Sequence, residues 1–340
     1  MIMNFGKINQ YILLGGGELL CLTAKKLKQE SFLVLVITSE RHSIESMTID
    51  GNTLLFTEFL QNNNIDYVIS NDITDDCRVV NKITENTIGI SFGAAWIFKK
   101  KFIDRFNGRL LNCHPSRLPQ DRGAGGFSWR ILRGDNLGAI VVHQIDPGVD
   151  TGNIIIFEEF VFPHTHRYPI DYQEYSIKQY QKLLDVFINL VRDGKSFECL
   201  AQQENVSTYW PRLATDIHGY IDWNWKLKDI ERFICAFDDP YKGASTFLNG
   251  KKVRLKKCYS SFNDGVFHPF QNGLIYRIFA ETSFVATECG TLLVNSVLDE
   301  NGVDIKLNLR IGERFYTPMQ YLEEAKQFRA IYTPVGLKGV

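Results

Sequence analysis

Leu110 to Gly152 reads LLNCHPSRLPQDRGAGGFSWRILRGDNLGAIVVHQIDPGVDTG. An apolar strand ends in Asn-Cys-His-Pro-Ser, and a second closes in Asp-Pro-Gly-Val-Asp-Thr-Gly. Residues two apart in a strand face the same side, so Asn112 and His114 are expected to stand together, roughly 6.5 Å apart along the chain. Cys113 is expected to point the other way, into packing. Pro115 stops the strand because it has no N–H for the ladder. An amide and an imidazole thus share a strand end, and a carboxylate, Asp150, arrives on a second Gly-rich loop.

Working outward, Tyr11–Leu14, Phe32–Ile37, Tyr67–Ser70, Thr87–Phe92, Leu110–Cys113 and Gly138–Gln144 read as strands. Helical patterns such as Glu18–Gln29 and Leu54–Asn62 lie between several of them. That alternation predicts βαβ units and an α/β fold with a doubly wound, mostly parallel sheet. Ligands of such sheets bind beyond the carboxyl ends of the strands. Asn112, His114 and the run Ser91 to Trp96 fall at such ends. Gly15 to Gly17 follows the first strand, but Leu20 stands where a dinucleotide fingerprint has its third Gly, so these glycines are read as a strand-to-helix turn. Tyr172 to Arg192 has helical spacing with one apolar face, and Asp193-Gly194 stops it. From about Tyr209 the character changes. A short helix over Leu227–Phe237 precedes strands punctuated by Asn249-Gly250, Asn263-Asp264-Gly265, Asn272-Gly273, Cys289-Gly290 and Asn301-Gly302, the pattern of a small β-barrel. The expected division is residues 1–204 and 205–340, with the polar stretch Gln202 to Thr208 at the junction.

A chain of 340 residues favours two domains over one core. With 38 Lys/Arg against 39 Asp/Glu the net charge is −1, so no global field draws in nucleic acid or membrane. The 7 Cys occur singly, without CxxC or Cys/His metal spacing, which fits a reducing cytoplasm and no metal. The N-terminal apolar run is too short and polar for a signal segment, and no stretch of about 18 apolar residues predicts a membrane span.

The segment that opens this section resembles the signature of formyltransferases that use 10-formyltetrahydrofolate: Asn-x-His-Pro-Ser-x-Leu-Pro, a Gly-rich loop, then Asp-x-Gly-x-Asp-x-Gly. Here these are Asn112, His114, Pro115, Ser116, Leu118, Pro119, Gly123, Asp146, Gly148, Asp150 and Gly152. Tyr209 to Leu213, Ile221 to Trp223 and Phe237 to Ala244 are similar to second-domain landmarks of methionyl-tRNA and amino-sugar formyltransferases. The resemblance implies a Rossmann-like catalytic domain followed by a smaller OB-like barrel, with 10-formyltetrahydrofolate as co-substrate. Formyl transfer to an amine passes through an oxyanion. Asn112 can donate to it, a role worth about 3 kcal/mol in other oxyanion holes. His114 can handle the amine proton, and Asp150 can orient and charge the imidazole. Singly, each of the three has an ordinary structural reading, as a hydrogen-bonded His, a turn Asn and an Asx-turn Asp. Together and in the family's order they read as catalytic. The resemblance places the folate against Ser91 to Ile97 and Ile145 to Thr151. Ser91, Gly93, Ala94, Ala95, Ile97, Val142, Ile145, Asp146, Gly148 and Thr151 are the expected contacts.

The acceptor loop departs from the methionyl-tRNA pattern Arg-Gly-Ala-Ala-Pro-Ile, reading Arg122-Gly-Ala-Gly-Gly-Phe-Ser-Trp. Ser116, Arg122, Gly125, Gly126, Phe127, Trp129 and Arg130 are therefore the candidate acceptor contacts: aromatics for a sugar or base, arginines for a diphosphate. Core packing of Phe127 and Trp129 is the standing alternative. Residues 205–340 carry 17 Lys/Arg and 15 Asp/Glu, a net of +2, where a tRNA-binding domain is expected to be distinctly basic. The cluster Lys251 to Lys257 alternates Lys252, Arg254 and Lys256 with Val253 and Leu255, as a half-buried strand with a solvated basic face does. The reading is a sugar N-formyltransferase acting on a nucleotide-linked amino deoxysugar (GDP-, dTDP- or UDP-linked) for surface polysaccharide such as lipopolysaccharide O-antigen. No nucleic-acid partner is expected, and a homodimer is implied only by the resemblance. Methionyl-tRNA formyltransferase is the alternative, and a catalytically silent binding protein is the alternative from another class. Glycinamide ribonucleotide formyltransferases lack a second domain of this kind.

Overall fold

In a computed structural model, residues 2–49, 51–124 and 126–338 are described. Seven strands form the first sheet: β1 (Gln10–Gly15), β2 (Leu33–Thr38), β3 (Asp66–Ile69), β4 (Thr87–Phe92), β5 (Leu110–His114), β6 (Leu137–Gln144) and β7 (Ile154–Val161). Their order is β7-β6-β5-β4-β1-β2-β3. The five strands from β5 to β3 run parallel, and β6 and β7 are antiparallel additions at one edge. Both faces of the sheet are covered, and the residues sort by a period of two. Tyr11 and Leu13 of β1 belong to one core with α1 (Glu18–Gln29), α2 (Phe56–Asn62) and α4 (Pro169–Arg192). Ile12 and Leu14 belong to another with Phe102 and Phe106. The order reverses at β1 and β4, so the carboxyl ends there splay into a crevice. Gly15 lies at φ 124, and a Cβ on it would sit 2.2 Å from the Phe92 carbonyl oxygen. Gly15 is therefore demanded by strand approach, Gly16 by the His42 side chain at 2.8 Å, and Gly17 takes φ 85 where the chain turns into α1.

The long helix α4 starts three residues before its expected bound. Pro169 takes the first helical position, and the Asp171 carboxylate accepts from the N–H groups of Arg167 (2.8 Å) and Tyr168 (2.9 Å). Strand β7 was not anticipated, because Glu158 and Glu159 interrupt its apolar pattern at the sheet edge.

The second half begins with α5 (Leu227–Ala236), followed by six antiparallel strands: β8 (Ala244–Leu248), β9 (Lys251–Ser261), β10 (Ile275–Phe279), β11 (Thr282–Thr287), β12 (Gly290–Leu298) and β13 (Phe315–Tyr316). Their order is β10-β11-β12-β9-β8-β13. The two outer strands meet: Phe315 N–H donates to Gly273 (2.9 Å) and Ile275 N–H to Glu313 (2.8 Å), which closes the sheet into a small barrel. Asn249-Gly250 is a two-residue hairpin with φ of 51 and 76, as the Asn-Gly signal predicts. The halves share a core. Ile131 of α3 (Gly126–Arg133), Phe162 and Tyr172 pack in one cluster with Ile230, Phe233 and Phe237.

Candidate active site

Strands β5 and β6 build the site. Their antiparallel register sets Asn112 opposite His143 and Cys113 opposite Val142. Cys113 and Val142 are buried in the core against α4, so Asn112, His114 and His143 occupy the other face. The Asn112 amide nitrogen lies 3.2 Å from His143 Nε2 and 3.3 Å from Asp150 Oδ1. The His114 and His143 rings stand 6.2 Å apart, edge to face. Both are almost fully buried.

Asp150 is delivered by the loop after β6. It takes a left-handed conformation, φ 53, which an Asp tolerates better than most residues. Its Oδ2 accepts the Gly123 N–H at 2.8 Å and lies 3.7 Å from His114 Nδ1, and its Oδ1 lies 3.4 Å from His143 Nε2. The loop is pinned from behind. Gln202 Nε2 donates to the carbonyls of Asp150 (2.8 Å) and Gly152 (2.7 Å). The Gln202 side-chain oxygen in turn accepts from Arg122. Gly152 is obligatory, since a Cβ there would stand 1.9 Å from the Gln144 carbonyl oxygen.

The hydrogen bonds decide where the ring protons sit. His114 Nε2 is 2.7 Å from the Asp121 carbonyl, which can only accept, so Nε2 carries a proton and Nδ1 faces Asp150. His143 Nδ1 donates likewise to the Gln144 carbonyl at 2.7 Å, which leaves Nε2 to face Asn112 and Asp150. Burial pushes the Asp150 carboxyl up. The charge of His114, the hydrogen bond and charge of His143 and the Gly123 amide outweigh it, and hold the carboxyl well below the usual carboxylate range. An ionised carboxylate, the His114 Nδ1 facing it and an amide donor therefore converge: a proton-handling imidazole beside a hydrogen-bond donor for a developing negative oxygen.

Of the expected folate contacts, Ser91 is buried at the end of β4, paired with Asn112. Gly93 is exposed at φ 57, with Ala94 and Ala95 half-buried beside it. Ile97 is 85% exposed. Ile145, Trp96 and Phe98 each pack against the core that holds Phe102 and Phe106. Asp146 accepts from the Gly148 N–H (3.0 Å) and from the Thr151 hydroxyl. Val142 is a correction. It is completely buried on the opposite face of the sheet and lines no slot at this site.

The acceptor contacts fare less well. Arg122 is 6% exposed, and its guanidinium is spent on Gln202 and Glu204. Arg130 is 1% exposed, packed on Phe162 and 3.4 Å from Asp121. Neither is free for a diphosphate. The partners of Arg122 lie 80 and 82 residues along the chain, whereas Asp121 and Asp135, the partners of Arg130, stand within the same segment. Phe127 packs against Phe162 and Tyr172, and Trp129 donates its indole N–H to the Pro211 carbonyl (2.7 Å) and leans on Trp210. Both follow the packing alternative. Ser116 is buried, Gly126 opens α3 with open space where a Cβ would stand, and Gly125 lies outside the described residues. The basic strand is also corrected. Lys257 adopts φ 55 and breaks the alternation. Lys256 is buried against Asp238 and Asp239, and Arg254 pairs with Asp216. Arg254 and Lys256 are thus neutralised by carboxylates and Lys252 donates to the Tyr220 hydroxyl at 3.0 Å, where a solvated face was expected. Sequence reading missed His143, Gln202 and Asp121. His143 had one signal, a polar residue in an apolar strand with the parity of Val141.

The formyl transferase family matches residues 17–167, and the formyl transferase C-terminal domain matches residues 215–308. The methionyl-tRNA formyltransferase of Agathobacter rectalis is 28% identical over 207 residues, 60% of this chain and 63% of that protein. That of Syntrophus aciditrophicus is 29% identical over 181 residues, 52% of this chain and 55% of its own length. The matches thus span under two thirds of these relatives. Among solved structures, WlaRD, a sugar 3N-formyl transferase crystallised with dTDP and 5-N-formyl-THF, superposes with a TM-score of 0.64 at 20% identity, covering 88% of this chain and 100% of its own. An N-formyltransferase from Helicobacter canadensis, in complex with folinic acid and dTDP-3-aminofucose, gives 0.60 at 19% identity over 84% and 98%. At these identities the structural likeness is one of fold.

Proposed function

Since this chain belongs to the formyl transferase family, with both of that family's domains matched, we propose that it transfers a formyl group from 10-formyltetrahydrofolate to the amine of a nucleotide-linked amino deoxysugar. The convergence of Asn112, His114 and Asp150 on one face carries the formyl-transfer reading. The residues suit a folate. Two loops flank the trio, Gly93, Ile97 and Val149 are exposed on them, and the Trp96 indole N–H is buried without a partner. Ser91, Gly93, Ala94, Ala95, Ile97, Ile145, Asp146, Gly148 and Thr151 are the segment that holds it.

The bound folate supplies an activated formyl carbon. As the acceptor amine bonds to the formyl carbon, His114 Nδ1 would take the amine proton, because Nε2 is already committed to the Asp121 carbonyl, and would return it to the folate nitrogen when the bond between that nitrogen and the formyl carbon breaks. Asp150 sits beside the resulting imidazolium and lowers its cost. Asn112 turns one N–H from His143 or Asp150 to the oxygen that gains negative charge. His143, locked by its Nδ1 hydrogen bond, holds the Asn112 amide in place at 3.2 Å.

Two observations support a sugar acceptor. Arg254, Lys256 and Lys257 of the basic strand are paired with Asp216, Asp238 and Asp239, which leaves fewer free charges there for RNA phosphates. The chain also shares its fold nearly end to end with proteins described as acting on amino sugars. Methionyl-tRNA is kept as the second reading because the curated relatives above carry that activity. A panel of GDP-, UDP- and dTDP-linked amino deoxysugars beside methionyl-tRNA, at fixed 10-formyltetrahydrofolate, separates them. One nucleotide sugar turning over with tRNA inert is the expected result; turnover of charged tRNA alone would overturn it.

A further inference from the structure

Arg41 and Arg212 come from opposite halves of the chain and point at one ring. The Arg41 guanidinium lies 5.5 Å from the centroid of Tyr332, and that of Arg212 lies 4.5 Å from it. Among the described residues neither arginine has a carboxylate within ion-pair distance, and Arg41 Nε is buried without a hydrogen-bond partner. This contrasts with Arg122, Arg130, Arg133, Arg167 and Arg254, each of which is paired. Two like charges brought together at a partly buried site repel, and such an arrangement is stable when an anion joins it.

A third donor stands with them. An Arg41 N–H donates to His42 Nε2 at 2.9 Å, and since a guanidinium cannot accept, the His42 proton is on Nδ1. That Nδ1 is unpartnered, in a residue only 6% exposed. Burial and the charges of Arg41 and Arg212 hold the His42 pKa down, to about 4, so the ring is a neutral donor. One carboxylate joins the cluster: Glu45 Oε1 lies 3.8 Å from His42 Nε2 and feels both Arg41 and Arg212, and one carboxylate against two guanidiniums leaves the group with excess positive charge.

The cluster lies at the same carboxyl-end rim as the catalytic trio. A Cβ on Gly16 would meet the His42 ring at 2.8 Å, and the Gly16 N–H donates to Phe92, the neighbour of Ser91. Arg212 follows Trp210 by two residues, at most about 7 Å of chain. Trp210 pairs with Gly123, whose N–H holds Asp150. The ring belongs to a C-terminal hairpin, Tyr332–Thr333 against Gly336–Leu337, tied to the first half by the Arg41 N–H donating to the Pro334 carbonyl at 3.1 Å.

We propose that Arg41, Arg212 and the Nδ1–H of His42 form the subsite for the diphosphate of the nucleotide-linked acceptor, with Tyr332 of the C-terminal hairpin as its wall. This deepens the reading above and rests on it. Guanidiniums suit the planar, bidentate recognition of phosphate oxygens, and the site supplies two of them where Arg122 and Arg130 cannot.

The test titrates dTDP, GDP and UDP into the full chain by calorimetry, with Arg41→Gln and Arg212→Gln beside it. The unsubstituted chain is expected to bind one of the three. Each variant is expected to raise its Kd tenfold or more while the affinity for 5-formyltetrahydrofolate stays the same. KM for the corresponding amino sugar should rise in step, with kcat within twofold. Arg212 is exposed, so its variant keeps the test open if Arg41→Gln lowers the melting temperature. An amino sugar formylated with unchanged KM in both variants would remove the subsite and leave the sugar reading standing. A chain that formylates methionyl-tRNA alone and binds no nucleoside diphosphate would remove both.

Discussion

Asp150 is charged because of what surrounds it, and two consequences follow. Replacing it by Asn removes the charge opposite His114 Nδ1 while keeping the shape of the side chain. Turnover is then expected to fall by roughly 10²–10⁴-fold, the range for losing a positioned acid–base partner. Steady-state kinetics of Asp150→Asn checks this, and activity within tenfold of the parent would sink the role. The same depressed carboxyl stabilises the fold only while ionised. That contribution is present above its unfolded value near pH 4 and is lost as the pH falls toward its lower folded value. His42 is depressed too, from 6.5 to about 4, with burial as the leading cause. The folded ring stays neutral in that window, while the unfolded chain takes up a proton. Stability at His42 is therefore full above about pH 6.5 and declines as the pH drops toward 4, by at most roughly 3 kcal/mol. In His42→Gln the urea midpoint should change less between pH 7.5 and pH 5 than in the parent; equal slopes would contradict the assignment.

At the scale of elements, the loop from Ile145 to Gly152 matters because its backbone is pinned while its side chains do the chemistry. Gly152→Ala forces a methyl into the Gln144 carbonyl, so the loop must shift and carry Asp150 with it. A loss of about 2 kcal/mol in stability is expected, with kcat falling more than KM changes. Calorimetric melting alongside kinetics tests it, and a variant with unchanged kcat would show that the loop tolerates displacement. The expectation of Asn112 and His114 on one face needed only the period of two, which is local. His143 needed the register of an antiparallel partner 31 residues on, which no local pattern holds. The same reason misassigned Arg122. A charged side chain in a short motif looks available until its partner is placed, and Glu204 reaches Arg122 from 82 residues away. Strand β9 shows a third limit. Its alternation was legible, but Lys257 in a left-handed conformation turned the basic row inward to Asp238 and Asp239. The division at residues 204 and 205, proposed from a change in composition, likewise said nothing of what crosses it.

Much crosses it at the scale of the whole molecule. Ile131, Phe162 and Tyr172 of the first half are buried with Ile230, Phe233 and Phe237 of the second. The Ser128 hydroxyl donates to the Ala236 carbonyl at 2.7 Å, Tyr209-Trp210 pairs with Arg122-Gly123, and the C-terminal hairpin returns to Arg41. Burial of an Ile or Phe side chain contributes roughly 1.5–3 kcal/mol, so three or four such residues amount to much of a domain's net stability of about 5–15 kcal/mol. The halves should therefore unfold together. Urea denaturation followed by far-ultraviolet circular dichroism and by tryptophan fluorescence is expected to give coincident transitions. Residues 1–204 expressed alone should bind a hydrophobic dye and lose activity, because Phe162 and Tyr172 are then open to water and the strand that props Gly123 is gone. Two separated transitions, or a fragment 1–204 that turns over 10-formyltetrahydrofolate at the parent rate, would show that the shared core is an interface of convenience. Coincidence would mean that the two halves form one cooperative unit, in which the second half supports Asp150 through the pairing of Trp210 with Gly123.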